Sequence, residues 1–203
     1  MIFSNLILGI LTAYIGSIPP SMLNMTAAKI SLEKDKKTAL QFAIGVSSVV
    51  FIQALLALLF LKAIHSNPLI LDSIQIISII IFMVLSIVFL KKALNEQKAI
   101  IPKKSLKNGF LTGIGLSFIN MFSIPFYCGI GAVFNMYGWL SLELSKVVFF
   151  VIGAVIGTYL ILNHYVLLAE KIKPKIAKFT KYLNFILAVI TGFVAVFSLI
   201  KIL

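Results

Sequence analysis

Two short stretches set proline beside serine and asparagine inside long apolar runs. The first holds Ser17, Pro19, Pro20, Ser21 and Asn24; the second holds Asn120, Ser123, Pro125 and Tyr127. A proline within a helix lacks a backbone donor and clashes with the preceding turn, and the residue before it is pushed away from helical angles. Each stretch therefore frees carbonyls and opens a new half-helix. Amide N–H groups and the positive dipole end at such an N-terminus suit a carboxylate. Exposed carbonyls at the opposing end suit an ammonium group. A site with both ends favours a zwitterion, which is what a free amino acid is. The plain alternative is that serine and asparagine merely satisfy the broken backbone or hydrogen-bond between helices. The pairing of the breaks favours a site. Ser17-Ile18-Pro19 reappears as Ser123-Ile124-Pro125, with Gly9 and Gly115 at the same offset. Interruptions at corresponding places in two halves point to a transporter's substrate site.

Few other residues offer chemistry. The acids Glu33, Asp35, Asp72, Glu96, Glu143 and Glu170 all fall in loops or near the ends of apolar runs. None is placed at bilayer depth to relay protons or hold a hard cation. Gln53, midway along an apolar run, is the nearest neutral analogue and joins the candidate substrate-binding residues. His65 and His164 lie far apart in sequence, so they form no metal pair. His164 is the titratable candidate for proton coupling near physiological pH. The single cysteine, Cys128, excludes an internal disulfide and a CxxC pair. There is no nucleophile–base pair, no HExxH and no phosphate-binding loop. The sequence thus gives no support to an enzyme, and no metal or cofactor is expected.

The elements that must position these residues are membrane helices. Across 203 residues, 61% are hydrophobic and the mean hydropathy is +1.10, so the lipid bilayer is the solvent. Six apolar runs, 2–30, 38–64, 69–90, 110–139, 147–168 and 182–203, each reach the roughly 20 residues a span needs. The first and fourth are longer than a straight span requires and carry the prolines; each reads as two half-helices. The net charge of +12 comes from lysines alone, with no arginine. They cluster in short loops, which speaks for membrane topology and against a nucleic-acid partner. Most fall after the first, third and fifth runs: Lys29, Lys34, Lys36 and Lys37; Lys91, Lys92, Lys98, Lys103, Lys104 and Lys107; Lys171, Lys173, Lys175, Lys178 and Lys181. The positive-inside rule places those loops in the cytoplasm and both termini outside. Tyr137 and Trp139 stand where an outer aromatic belt would be. The first run lacks the basic flank of a signal peptide and reads as a retained span.

The repeat extends beyond the prolines. Phe42-Ala-Ile-Gly45 resembles Phe150-Val-Ile-Gly153. Three spans per half is odd, so the second half must be inverted. The expected organisation is a first three-helix repeat over 1–90, a basic cytoplasmic linker over 91–108 and an inverted repeat over 109–203. Gly153 and Gly157, like Gly109 and Gly113, form GxxxG, and Gly45 is also small; these read as helix-packing positions. The fold class is an all-α polytopic membrane protein of six transmembrane helices, the first and fourth broken at proline.

The stretch Gly16-Ser-Ile-Pro-Pro-Ser-Met-Leu-Asn24, the basic loop after it and Phe42-Ala-Ile-Gly45 resemble the LysE/RhtB family of amino-acid exporters. Gly109-Phe through Asn120, then Ser123-Ile-Pro-Phe126, add to the resemblance. It implies a six-span, multi-pass protein of the bacterial inner membrane that exports an amino acid or a similar metabolite, usually driven by the proton gradient. It also implies a Pro-Gly-Pro signature in the first span. Here Pro20 takes the first signature position, and Ser21 and Met22 stand where glycine and the second proline usually are. The expected activity is secondary export of a small zwitterion by alternating access. The alternatives are a metal-ion or other cation exporter of the same superfamily and a non-transporting membrane scaffold subunit. The expected partners are the small-molecule substrate and lipid, with a homodimer left open.

Overall fold

Two prolines and one asparagine-flanked turn divide what would be two long helices into four shorter ones. The computed structural model describes residues 2–65 and 108–172 apart from 121, together with scattered positions between 80 and 94 and between 185 and 200. The sequence-expected spans 69–90 and 182–203 and the linker 91–108 lie largely outside the described residues, as does the His65 side chain. Among the described residues the regular structure is helical: α1 (Ile2–Gly16), α2 (Met22–Glu33), α3 (Lys36–His65), α4 (Gly109–Ile119), α5 (Ser123–Met136), α6 (Leu144–Leu167) and the short α7 (Ala169–Ile172).

Local chemistry sets these boundaries. Ser21 caps α2 by accepting from the Asn24 amide at 3.3 Å. Asp35 caps the start of α3 from the position before it, accepting from the Thr38 amide at 2.7 Å and the Thr38 hydroxyl at 2.8 Å. These bonds favour the ionised form and hold the Asp35 carboxyl below its ordinary pKa. Asn108 caps α4 through the Leu111 amide at 3.3 Å. Beyond α5, Gly138 takes a left-handed φ of 72°, which a glycine adopts without a Cβ clash.

The first interruption, residues 17–21, contains both Pro19 and Pro20, as the sequence implies. The second differs in place. α4 ends at Ile119 and α5 starts at Ser123, the two inclined by 65°. Pro125 therefore lies inside the first turn of α5. Its missing N–H has no intrahelical acceptor to lose there. Its ring excludes a helical turn four residues earlier, so the interruption falls ahead of the proline.

Two helix pairs approach at backbone distance. In α1 against α6, a Cβ added at Gly9 would strike the Phe150 carbonyl; one at Gly153 would strike that of Leu6, and one at Gly157 that of Ile10. In α3 against α4, a Cβ at Gly45 would strike the Phe110 carbonyl, one at Gly113 that of Phe42 and one at Gly109 that of Thr38. Phe42, Phe150, Leu58, Val46, Val147 and Val151 fill the buried core behind these contacts. Outward faces carry large exposed apolar side chains such as Phe3, Leu56, Phe60 and Leu111, a surface suited to lipid and not to water. α3 and α6 are each long and apolar enough to cross a membrane, and α4 with α5 makes a third if it is one broken span.

The chain forms two compact units: residues 1–63 with 101–173, and residues 64–100 with 174–203. Within the second, the Ser86 hydroxyl donates to the Ala188 carbonyl at 2.9 Å, and Gly192 leaves room for Ser86.

Candidate functional site

At the first break the freed carbonyls of the interruption that follows α1 are held by side chains from beyond the proline pair. The Asn24 amide donates to the Ser17 carbonyl at 2.7 Å and the Pro19 carbonyl at 3.1 Å. The Tyr165 hydroxyl of α6 donates to the Ile18 carbonyl at 2.7 Å. Asn24 is buried, while Pro19 and Ser21 are exposed and Ser17 and Pro20 are half-buried. Both N–H donors of Asn24 are thus committed to backbone.

The second break is braced from α3. The buried Gln53 amide donates to the Ser117 carbonyl at 3.0 Å and the Asn120 carbonyl at 3.3 Å. The Asn120 amide in turn reaches the Ser123 hydroxyl at 3.3 Å. Ser117, fully buried one turn before the break, donates to the Val46 carbonyl at 3.4 Å. Pro125 is half-buried, and the buried Tyr127 stands beside Thr158 of α6.

The two breaks meet. A Cβ at Gly16, the last residue of α1, would overlap the ring of Phe126, which follows Pro125 in the first turn of α5. The carbonyl end of α1 is thereby brought against the opening turn of α5. His164 lies near that region but outside the buried core: it is exposed, and its Nδ1 pairs with the Tyr14 hydroxyl at 2.7 Å. A separate groove of about 250 Å³ runs between α3 and α6, lined by Ile44, Ser47, Ser48, Val155, Ile156 and Tyr159. None of the residues expected to bind substrate lines it.

Two buried side-chain oxygens have no hydrogen-bond partner among the described residues, Ser47 Oγ and Gln53 Oε1. The described acids, Glu33, Asp35, Glu143 and Glu170, are all exposed. Glu33 and Glu143 pair with Lys29 at 3.5 Å and Lys146 at 3.1 Å. No group of three metal-ligating side chains occurs among the described residues.

Sequence reasoning singled out Asn24, Gln53 and Asn120 but missed Tyr165, Ser117, Thr158 and Phe126. Phe126 could have been found by its place directly after Pro125. Tyr165 had a weaker signal, a hydroxyl beside Asn163-His164 inside an apolar run. Ser117 and Thr158 had none, since single hydroxyl residues are ordinary in membrane helices.

A family model described as LysE type translocator matches residues 14–201. No curated protein and no solved structure matches the chain.

Proposed function

The chain belongs to the LysE type translocator family, and from that premise we propose that this membrane exporter moves an amino acid or a related small zwitterion by alternating access. The observation that carries the reading is the meeting of the two breaks at Gly16 and Phe126. It gathers the carbonyl end of α1 and the opening turn of α5 in one place. Helix N-termini there complement a carboxylate and carbonyl ends complement an ammonium group. Ser17, Pro19, Pro20, Ser21 and Asn24 form one wall of the site in this reading; Asn120, Ser123, Pro125, Tyr127 and Gln53 form the other.

Two inverted three-helix repeats, 1–90 and 109–203 joined by 91–108, supply the moving parts. The exchange of partners between the halves supports that reading. The first broken helix packs by Gly9 against the Phe150 and Ala154 backbone of the second half, and the second broken helix packs by Gly113 against the Phe42 and Val46 backbone of the first. In this arrangement the lysine-rich loops face the cytoplasm, both termini face out, and the protein spans the inner membrane. His164, paired with Tyr14, is the proposed proton-coupling residue.

Counterflow in proteoliposomes tests the function. Vesicles loaded with unlabelled amino acids should accumulate the labelled form of at least one of them. Replacing Pro19 and Pro20 together with alanine should abolish the exchange while the protein still inserts. Absence of exchange for every amino acid would refute the reading.

A further inference from the structure

Gln53 is committed in one direction and open in the other. Its side chain reaches two carbonyls, Ser117 O at 3.0 Å and Asn120 O at 3.3 Å. Only the NH2 end of an amide can donate to a carbonyl. Oε1 must therefore point away from both carbonyls. There it is buried, in a side chain only 5% exposed, and meets no donor among the described residues. A buried acceptor left unmet is costly, and a donor brought by a bound substrate would relieve that cost.

The setting says which donor. Gln53 braces the C-terminal end of α4, the negative end of that helix dipole. The polar side chains gathered at this break, Ser117, Asn120, Ser123 and Gln53, are all uncharged. An ammonium group has three donors and no acceptor. Neutral oxygens and a helix C-terminus satisfy one such group without demanding a second positive charge.

We propose that Gln53 Oε1 receives the substrate's α-ammonium group at the second break, and that the uncharged side chains around it leave the second ammonium of a basic amino acid without a charged partner, so that neutral amino acids are favoured. The proposal rests on the reading of the protein as an amino-acid exporter. Gln53 then has two tasks on its two amide atoms: the nitrogen holds the broken backbone and the oxygen reads the substrate.

The test uses the full-length protein in proteoliposomes and six labelled probes: L-alanine, L-threonine, L-leucine, L-phenylalanine, L-lysine and L-glutamate. Wild type should exchange neutral probes and discriminate against L-lysine. Gln53→Glu keeps an acceptor oxygen but adds a negative charge. It should shift the neutral-to-lysine ratio toward lysine by at least about tenfold, the worth of one hydrogen bond to a charged group. Gln53→Met removes the acceptor and should lose exchange of neutral probes. A purely structural glutamine would lower exchange of all probes together and leave the neutral-to-lysine ratio unchanged in Gln53→Glu. That result would overturn this proposal while leaving the exporter reading intact.

Should both variants misfold, wild type alone still decides. Propanoate, 4-methylpentanoate and 3-phenylpropanoate are alanine, leucine and phenylalanine without the ammonium group. They should compete at least about tenfold less well than their parent amino acids. Equal competition means that the ammonium is not read, and the proposal falls. Exchange of L-lysine alone also overturns it. No exchange of any amino acid overturns it together with the function it rests on.

Discussion

Asn24 and Tyr165 share the carbonyls of the first break unequally. Asn24 serves two, those of Ser17 and Pro19, whereas Tyr165 serves one, that of Ile18. Asn24→Leu leaves two carbonyls unserved beside a buried position, and each buried unsatisfied group costs about 1–3 kcal/mol. Tyr165→Phe removes a single interhelical bond, a class that averages about 0.6 kcal/mol in membranes. The detergent-purified Asn24→Leu protein should therefore melt lower than Tyr165→Phe, and Tyr165→Phe close to wild type. The opposite order in Tm would show that the Tyr165 bond, not the asparagine clamp, holds the break. The sequence makes the type of Asn24 visible, since an asparagine five residues beyond Pro19 has freed carbonyls within reach. It hides Tyr165, because its partner Ile18 is 147 positions away and hydroxyl chemistry alone names no partner. Gln53 is legible as a polar side chain in an apolar run. The division of labour between its two amide atoms is not, because it depends on where α4 ends.

At the scale of elements, the GxxxG spacing marks which glycines matter, but only the packing shows what they touch. Gly153 faces the Leu6 carbonyl and Gly113 the Phe42 carbonyl. A methyl group there meets backbone, which cannot swing aside as a side chain can. Overpacking of this kind costs about 1–3 kcal/mol, so Gly153→Ala and Gly113→Ala should each lower thermal stability. Gly115 lies in the same helix as Gly113, yet a Cβ there meets nothing within 4 Å. Gly115→Ala should hold or raise Tm, because alanine is favoured over glycine in a helix by up to about 1 kcal/mol. Equal losses at Gly113 and Gly115 would contradict the close approach of α3 and α4. The second interruption shows the complementary limit. Pro125 announces a break, but proline is tolerated in a first turn and excludes helix four residues upstream. The boundary therefore falls at Asn120–Phe122 instead of at the proline.

At the scale of the whole molecule, the halves of the sequence are not the compact units of the structure. Residues 1–63 cluster with 101–173, and 64–100 with 174–203, so each half gives two runs to one unit and one to the other. Hydropathy could not show this, because apolar spans look alike whichever partner they choose. Orientation is a different matter, since lysine counting addresses it directly. Lys36 opens α3 and is exposed; Glu143 directly precedes α6 and is exposed. If the lysine-rich loops are cytoplasmic, these positions lie on opposite sides of the membrane. The only native thiol is Cys128, so a Cys128→Ser background gives a clean reporter. In intact cells a membrane-impermeant maleimide should label Glu143→Cys and spare Lys36→Cys, and permeabilisation should make both reactive. The reverse pattern would turn the whole molecule over and set the lysines outside. Labelling of both in intact cells would mean that α3, the apolar run 69–90 and the α4–α5 pair do not together separate the two positions by an odd number of crossings. The inverted repeat, which requires three spans in each half, would fail with it.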